Sequence, residues 1–313
     1  MLAVRTSRLR AGLVGLSCGA ALAALVLRLP AVQAETSAQE RGKYLLHAAG
    51  CIGCHTDKAT LKAKGPILGG GRVLKTPFGT FYGPNITPHP EHGIGRWSEA
   101  QFRRALRHGR APSGRNYFPA FPYTSFTRMT DADISALWAY LRTIKPVDRP
   151  SRPHDLRFPY NVRFLVTFWN WLNFRRGTYR PDAAKPKDWN RGAYLVTALG
   201  HCGECHTPRG AMGGLKRDLS LSGSSGGPAG DAPNITPDQE TGIGRWSGED
   251  IVTALKLGML PDGDFVGGEM TEVVEHGTSQ LSDADLKAIV TYLKSLPPIR
   301  SKPKKKKAAS ANE

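Results

Sequence analysis

The feature that most constrains this chain is a five-residue segment that occurs twice, at residues 51–55 and 202–206. Each copy has two cysteines separated by two residues, with a histidine directly after the second cysteine. Both copies lie inside a longer repeat, whose other matching segments are 41–46 with 191–196, 84–98 with 233–247, and 131–144 with 283–296. Because each copy carries the complete set, the sequence predicts two copies of one domain rather than a solenoid.

The spacing C-x-x-C-H is the attachment signature of c-type haem. Two thiols at this spacing each form a thioether to the porphyrin edge, and the following histidine ligates the iron on the proximal side. A Cys₄ zinc site or two disulfides are the alternatives, but zinc sites do not need a histidine after each cysteine pair. The sequence therefore predicts two covalently bound haem c groups. The predicted attachment residues are Cys51, Cys54, Cys202 and Cys205, and the predicted iron ligands are His55 and His206.

Each copy has the pattern of helices joined by long loops. A first helix is predicted over residues 38–49, and a middle helix after Ser98, whose hydroxyl can cap it. A last helix is predicted from Thr130 or Asp131, with apolar residues at intervals of three and four. Since no convincing alternating strand pattern is present, the predicted fold is all-α, with a flat porphyrin replacing much of the core.

The order of these motifs resembles class I cytochrome c. The paired arrangement is similar to the di-haem cytochrome c subunits that accompany alcohol and gluconate dehydrogenases, and it covers nearly all of residues 38–297. The resemblance implies two tandem class I cytochrome c domains joined by an aromatic-rich helical linker. It also implies that the chain relays single electrons between a dehydrogenase catalytic subunit and a downstream acceptor, such as quinone or another cytochrome.

The first residues have the pattern of an export signal. Three arginines precede an apolar run over residues 11–27, and a small-residue cleavage site follows at Ala34. This pattern predicts export to the periplasm, with retention as an anchor at the inner membrane as the alternative. Cys18 lies in the segment expected to be removed. The predicted organisation is a signal peptide at 1–34, domain 1 at 35–147, a structured linker at 148–185, domain 2 at 186–297 and a disordered basic tail at 298–313.

The charge of the chain is strongly positive. Removal of the four arginines in the signal segment lowers the formal charge from +17 to +13, and part of the remainder is the lysine-rich tail. Such a surface favours an acidic protein partner or an anionic membrane surface. No other feature indicates nucleic acid, so a nucleic-acid partner is not expected.

The linker is dense in aromatic residues between Phe158 and Phe174. One interpretation is a helix that packs across both domains and fixes one haem relative to the other. The other is an exposed patch that binds a partner or the membrane surface, supported by Arg163, Arg175 and Arg176. The first interpretation is favoured, with Trp169 and Trp171 expected at the interdomain contact.

An electron-carrying haem needs a second axial ligand, usually methionine in the family that the chain resembles. In the second copy Met270 stands thirteen residues before Asp283, where a loop can fold over the distal face. Met259 lies nearer the middle helix. Met212 follows the haem motif too closely in sequence to reach the opposite face of the haem. Met270 is therefore the predicted distal ligand.

The distal ligand of the first copy is less well determined. Many relatives have Met-Pro-Tyr at the distal position, but this chain has Phe121-Pro122-Tyr123, and phenylalanine cannot ligate iron. Met129 is the first choice, because its thioether already lies in the distal loop, although the repeat aligns it with the apolar Leu281. The alternatives are an open sixth position or a histidine, namely His89, His92 or His108.

An Arg-Trp dipeptide occurs in each copy, at 96–97 and at 245–246. Both are predicted partners of the haem propionates, because arginine binds carboxylates through two parallel N–H donors and the indole N–H can donate a hydrogen bond. The tryptophans could instead only fill the core. Two asparagines, Asn85 and Asn234, are expected to tie their loops by side-chain hydrogen bonds. The predicted propionate partners are Arg96, Trp97, Arg245 and Trp246.

The leading functional hypothesis is an electron relay with no substrate chemistry of its own. The competing hypothesis is a peroxidase-like enzyme that uses an open sixth position on the first haem. Against it, no distal acid–base pair is evident near Phe121. A cysteine-ligated thiosulfate dehydrogenase is disfavoured, because the two motifs use all four cysteines that remain after export. A haem-bearing docking protein would depend on the basic tail and the linker alone.

Overall fold

The computed structural model describes residues 29–227 and 230–301. The predicted export segment lies largely outside the described residues, and the lysine-rich tail beyond residue 301 lies wholly outside them. Among the described residues, every helix is too short or too polar to cross a membrane.

Each domain is built mainly from helices and contains one copy of the haem motif. Domain 1 contains α1 Leu29–Ala48, α2 Cys51–His55, α3 Lys58–Lys62, β1 Val73–Thr76, β2 Gly79–Tyr82, α4 Glu99–His108, α5 Tyr123–Phe126 and α6 Asp131–Leu141. The linker contains β3 Asp155–Leu156 and α7 Leu165–Asn173. Domain 2 contains α8 Lys187–Tyr194, a π-helix Leu195–Leu199, α9 Gly203–His206, a 3₁₀ turn Arg217–Leu219, β4 Ser224–Gly227, β5 Gly230–Ala232, α10 Gly248–Leu257, α11 Glu269–His276, a 3₁₀ turn Thr278–Gln280 and α12 Asp283–Lys294.

Two small antiparallel sheets correct the all-α prediction. In domain 1 the strand order is β1-β2-β3, so the linker strand β3 extends a hairpin of the first domain. In domain 2, β4 pairs with β5. Each strand is only two to four residues long. A segment this short is below the length at which alternation of polar and apolar residues can be recognised.

In each domain the first helix crosses the last helix at a glycine. A Cβ atom at Gly42 would lie 2.0 Å from the carbonyl oxygen of Ala136, and one at Gly192 would lie 1.9 Å from that of Ala288. No side chain fits at either distance. The repeated Arg-Gly-x-Tyr sequence is therefore explained by direct contact between helix backbones.

The starts predicted for the middle and last helices are confirmed, whereas the first helix begins at Leu29, nine residues before its predicted start at residue 38. Ser98 and Ser247 each form a capping box at the start of the middle helix. At the last helix, the side chain of Thr130 accepts from the backbone N–H of Asp133, and Ser282 makes the equivalent bond in domain 2. These bonds satisfy backbone donors that a helix leaves unpaired at its first turn.

The two domains exchange equivalent hydrogen bonds across their interface. The Tyr44 hydroxyl of domain 1 donates to Asp285 Oδ2 of domain 2 at 2.5 Å, and the Tyr194 hydroxyl of domain 2 donates to Asp133 Oδ2 of domain 1 at 2.7 Å. Each domain thus contributes the same tyrosine and the same aspartate, as in an isologous contact between two copies of one fold.

An arginine of the same domain holds each of these carboxylates. Arg41 donates to Asp133 Oδ1 at 3.0 Å, and Arg191 donates to Asp285 Oδ2 at 2.5 Å. Burial by itself raises the pKa of Asp285, but hydrogen bonds from Arg191 and Tyr44 outweigh it and lower the pKa below its ordinary value. Asp285 is therefore held as a charged acceptor at the interface.

A π-helix marks a one-residue difference between the copies. Cys51 stands seven positions after Tyr44, whereas Cys202 stands eight positions after Tyr194. The π-helix at Leu195–Leu199 absorbs the extra residue without moving the haem motif. Directly before the second motif, His201 adopts a left-handed φ of 37°, where domain 1 has Gly50 at 61°.

Helix α7 of the linker contacts both domains. Val166 is buried against Phe81 and Phe118 of domain 1, and the Trp169 indole donates to the carbonyl oxygen of Met212 in domain 2 at 2.8 Å. The opposite face of the linker is exposed and apolar. Its exposed residues include Phe158 at 80%, Phe164 at 68%, Phe168 at 52%, Trp171 at 82% and Leu172 at 57%. Packing across the domains therefore coexists with an exposed aromatic face.

Candidate cofactor sites

The histidine of each haem motif is held in one orientation by the same backbone contact. His55 Nδ1 lies 2.8 Å from the carbonyl oxygen of Pro84, and His206 Nδ1 lies 2.8 Å from that of Pro233. A carbonyl can only accept, so the ring proton resides on Nδ1 and the lone pair resides on Nε2. This tautomer is the one that presents Nε2 to a metal while a second bond fixes the ring. Burial lowers the pKa of His55, which favours the neutral ring.

The four motif cysteines form no disulfide within the described residues. Burial raises the pKa of Cys51 and of Cys202 to about 12, so these thiols are protonated at neutral pH. No cluster of three or more histidine, cysteine or acidic side chains suited to a metal ion occurs in residues 29–227 and 230–301.

A cavity of about 1740 Å³ adjoins the second haem motif and extends to Gly53 and Cys54 of the first. His206 and Met270 both line it, so an imidazole and a thioether face the same space. These are the two ligand types of a six-coordinate cytochrome c haem. The other walls are largely apolar and include Trp246, Leu281, Ile289 and Leu293. The residues present therefore fit a haem covalently bound at Cys202 and Cys205.

The methionines of domain 2 differ in position. Met270 is the second residue of α11, which begins at Glu269 directly after Gly267 and Gly268, and its side chain is partly buried. Met212 is 62% exposed and Met259 is 40% exposed. Of these three thioethers, Met270 combines partial burial with a place on the cavity wall, as the sequence prediction requires.

Met129 of domain 1 has a different environment from Met270. Its side chain is fully buried within the hydrophobic core, and its carbonyl oxygen accepts from Arg107 at 2.8 Å. Met129 is not among the residues that line the described cavity, although Leu281, its counterpart in the repeat, is. Ligation of the first haem by Met129 stays a prediction, and it would require this side chain to leave its packed position.

The alternative histidines of domain 1 lie in two other places. His89 and His92 stack on each other with ring centroids 5.2 Å apart, and both face Asp148. His108 ends α4, and burial followed by nearby arginines, of which Arg176 is the strongest, lowers its pKa. The stacked pair belongs to the loop around residue 90 rather than to the distal segment.

The predicted propionate partners are divided between surface and core. Arg96 is exposed and lies 3.9 Å from Glu91, and Arg245 is also exposed. Trp97 and Trp246 pack against the hydrophobic core, and Trp246 also lines the cavity. The propionate role of these residues stays a prediction.

Basic residues of the last helices, which were not predicted from the sequence, bind the same loops. Arg142 donates to the carbonyl oxygen of Gly95 at 2.7 Å, and Lys294 Nζ donates to those of Ile243 and Gly244 at 3.1 Å. Arg142 and Lys294 occupy equivalent positions of the repeat, each eleven positions after the aspartate that begins the last helix. Their shared basic character was the available sequence signal.

The predicted role of the two asparagines is confirmed. Asn85 Oδ1 accepts from the backbone N–H of Thr87 at 2.9 Å and from its hydroxyl at 2.7 Å. Asn234 Oδ1 makes the same two bonds with Thr236, at 2.9 and 2.7 Å. Each asparagine thereby fixes the loop that supplies the proline carbonyl for the motif histidine.

A buried ion cluster, also not predicted from the sequence, joins the Met270 helix to domain 1. Arg72 Nη1 donates to Glu272 Oε2 at 2.5 Å and Nη2 donates to Glu269 Oε2 at 2.5 Å, with the Arg72 side chain 2% exposed. Lys58 lies 3.2 Å from Glu272. Burial raises the pKa of Glu272, but the bond from Arg72 outweighs burial and lowers it. These partners are about 200 residues apart in sequence, so no local pattern indicated them.

Comparison with known proteins agrees with this geometry. The family model described as cytochrome c matches residues 39–145 and 190–297. The chain is 43% identical over 259 residues to the fructose dehydrogenase cytochrome subunit of Gluconobacter japonicus, which covers 82% of this chain and 52% of that protein. It is 42% identical over 265 residues to a diheme cytochrome c-type protein of Cereibacter sphaeroides, which covers 84% of this chain and 88% of that protein.

A third relative is the cytochrome c subunit of the quinone alcohol dehydrogenase of Komagataeibacter europaeus. It is 40% identical over 276 residues, which cover 85% of this chain and 57% of that protein. The chain thus spans about half the length of the fructose and alcohol dehydrogenase subunits that it matches.

Proposed function

Because the chain belongs to the cytochrome c family and carries two covalently bound haem c groups, we propose that it relays single electrons from a dehydrogenase to a respiratory-chain acceptor. Haem supplies the one-electron chemistry, and the protein supplies attachment, axial ligation and a fixed separation of the two groups. The observation that carries the proposal is the duplicated site, in which His55 and His206 have the same tautomer-fixing bond.

In this proposal the side chains have separate roles. The motif cysteines fix each haem in its domain, and His55 and His206 bind iron through Nε2. Met270 completes the coordination of the second iron, and methionine ligation raises the reduction potential relative to histidine. Arg96, Trp97, Arg245 and Trp246 are proposed to bind the propionates.

The interdomain contacts support transfer between the two groups. Tyr44 with Asp285 and Tyr194 with Asp133 hold one domain against the other. Electron transfer over a distance falls steeply with separation, so a relay needs a fixed and short path. A chain whose domains moved freely would spend most of its time with the groups too far apart.

The donor and acceptor are inferred from the relatives. Several are cytochrome subunits of sugar or alcohol dehydrogenases, so we place the catalytic subunit of such an enzyme on the donor side. The acceptor is proposed to be quinone or another cytochrome, and the compartment is proposed to be the periplasm. The fructose and alcohol dehydrogenase subunits and the diheme protein give no support to the peroxidase-like alternative.

Stopped-flow spectroscopy on the purified di-haem protein tests the relay. The reduced protein is mixed with oxidised small c-type cytochrome in one experiment and with hydrogen peroxide in another. We expect rapid oxidation by the cytochrome and slow oxidation by peroxide. Rapid peroxide turnover together with slow reaction with the cytochrome would contradict the proposal.

We place the exposed aromatic face of the linker against an anionic membrane surface. Phe164, Phe168 and Trp171 are exposed on this face, and the exposed Arg175 and Arg176 follow the helix. Aromatic side chains with adjacent arginines match the interface between acyl chains and anionic headgroups. Arg163 is not available for this role, because it donates to the carbonyl oxygen of Asn116 at 2.6 Å.

Vesicle sedimentation separates this face from the interdomain contact. We expect Trp171→Ser to weaken binding to phosphatidylglycerol vesicles by roughly tenfold. The substitution removes a largely exposed indole that would otherwise be buried in the apolar part of the membrane interface. Trp169→Ser is the matched control, since its indole donates to Met212 of domain 2. Equal vesicle binding by the wild-type protein and Trp171→Ser would contradict membrane contact at this face.

A further inference from the structure

The distal segments of the two domains start with the same backbone contacts. Gly109 and Gly258 end the middle helices with φ values of 59° and 75°. The backbone N–H of Tyr117 then donates to Gly109 at 2.6 Å, and that of Val266 donates to Gly258 at 2.8 Å. Between these points, the isolated bridges 110–116 and 259–265 are also equivalent. The segments can therefore be aligned residue by residue from their hydrogen bonds.

In this alignment Phe121 occupies the position of Met270. Each stands twelve residues after its glycine, and the three extra residues of domain 2 come later, before α12. Met270 lines the same cavity as His206. The benzyl side chain of Phe121 has no atom that can donate an electron pair to iron. Domain 1 therefore has no thioether at the position where domain 2 has Met270.

The surroundings of Phe121 are aromatic. Its ring contacts those of Tyr117, Tyr123 and Phe126, with centroid separations of 5.6, 6.3 and 5.9 Å. The hydroxyl of Tyr123 is occupied, because it donates to Asn170 at 2.6 Å. Burial raises the pKa of Tyr117 to about 12, so this phenol stays neutral. The rings that contact Phe121 are thus neutral, and an apolar contact of this kind favours small neutral ligands over anionic ones.

We propose that the first haem has a sixth position covered by Phe121 rather than ligated by methionine, and that this position binds small neutral diatomic molecules such as carbon monoxide. The full burial of Met129 supports this assignment, since its thioether is already packed in the core. The proposal deepens the electron-relay function, on which it depends only for the presence of two haems. The second site, with Met270, is closed to such ligands.

Carbon monoxide titration of the reduced protein tests the assignment. We expect uptake of about one molecule per two haems by the wild-type protein, because one of the two sites lacks a thioether. Phe121→Met should weaken uptake by roughly tenfold or more and add the charge-transfer band of methionine-ligated ferric haem. Phe121→Leu is the matched control, and it should retain uptake because leucine also lacks a ligating atom.

Variants of domain 2 and ferric-state spectra complete the test. Met270→Phe should create a second uptake site, and electron paramagnetic resonance of the wild-type ferric protein should show high-spin signal from one haem. Two methionine bands in the wild-type protein would overturn the proposal in favour of Met129, and two low-spin haems with one band would overturn it in favour of a histidine. Haem content and circular dichroism verify folding. A protein that fails the stopped-flow relay but binds carbon monoxide would sink the proposed function alone.

Discussion

The two domains differ most between the middle and last helices, in the segment that faces the distal side. In domain 1 this segment is aromatic, contains the four-residue α5, and buries Met129. In domain 2 it is three residues longer and leads through Gly267 and Gly268 into the eight-residue α11, which carries Met270. The proximal segments share the haem motif and its proline-carbonyl contact, whereas the distal segments differ in sequence and in length.

The difference between the distal segments has a physical consequence for a relay. Two haems with the same ligands and surroundings would have similar reduction potentials and no preferred direction of transfer. The proposed thioether on one iron and the proposed aromatic cover on the other would separate the potentials. The contacts of Arg72 with Glu269 and Glu272 also join α11, which carries Met270, to domain 1.

The largest expected effect comes from copying the domain 1 residue into domain 2. Met270→Phe removes the thioether, so the higher potential should fall on the order of 0.1 V while the other stays unchanged. Spectropotentiometric titration resolves the two steps. A shift in both steps, or in neither, would show that Met270 is not a ligand of one haem.

Proximal substitutions should affect both domains alike. Gly42→Ala and Gly192→Ala each push a methyl group into a facing carbonyl, so each should lower the free energy of unfolding by about 1–3 kcal/mol. Denaturant titration of the di-haem protein measures both. Clearly unequal losses would show that the two helix crossings are not equivalent, and Gly248→Ala, whose added Cβ would meet only the Val290 side chain at an ordinary 3.4 Å, is the control.

Loss of the ion cluster should act only on the second distal site. Arg72→Gln leaves Glu269 and Glu272 without their buried partner, which should cost about 1–3 kcal/mol and loosen α11. We expect weaker methionine charge-transfer intensity with an unchanged carbon monoxide stoichiometry at the first haem. Arg104→Gln, at an exposed arginine of domain 1, is the matched control. An unchanged band in Arg72→Gln would exclude a positioning role.

The reciprocal interface should respond symmetrically and more weakly. Tyr44→Phe and Tyr194→Phe each delete one hydroxyl donor to an aspartate, so each should lower the free energy of unfolding by about 1 kcal/mol. Thermal or denaturant unfolding provides the measurement. A loss confined to one variant would mean that the two halves of the interface carry unequal energy.

The pH dependence should be the smallest effect. The pKa of Asp285 is lowered in the folded protein, so its contribution to stability is present above the unfolded value of about 3.9 and is lost as pH falls through the lower folded pKa. Asp285→Asn should flatten this acid-side slope. An identical slope in wild type and variant, measured between about pH 5 and 2, would contradict the assignment.

Much of the chemistry was readable from the sequence. The repeated C-x-x-C-H identified the cofactor. The segments around it predicted Ser98 and Thr130 as helix caps and Asn85 as a loop tie. These predictions succeeded because caps, loop ties and thioether attachment depend on residues only a few positions apart. The small sheets were missed because strands of two to four residues contain too little pattern.

What the tertiary structure alone decided are the contacts between distant segments. Tyr44 and Asp285 are 241 residues apart, and Arg72 and Glu272 are 200 apart, so their pairing depends on how two folded domains meet. The exposure of Trp171 beside the packed Trp169 also depended on which face of α7 met the protein. The sequence determines which chemical groups the chain contains and which hydrogen bonds form between residues close in sequence. Long-range packing determines which of those groups lie together in one site.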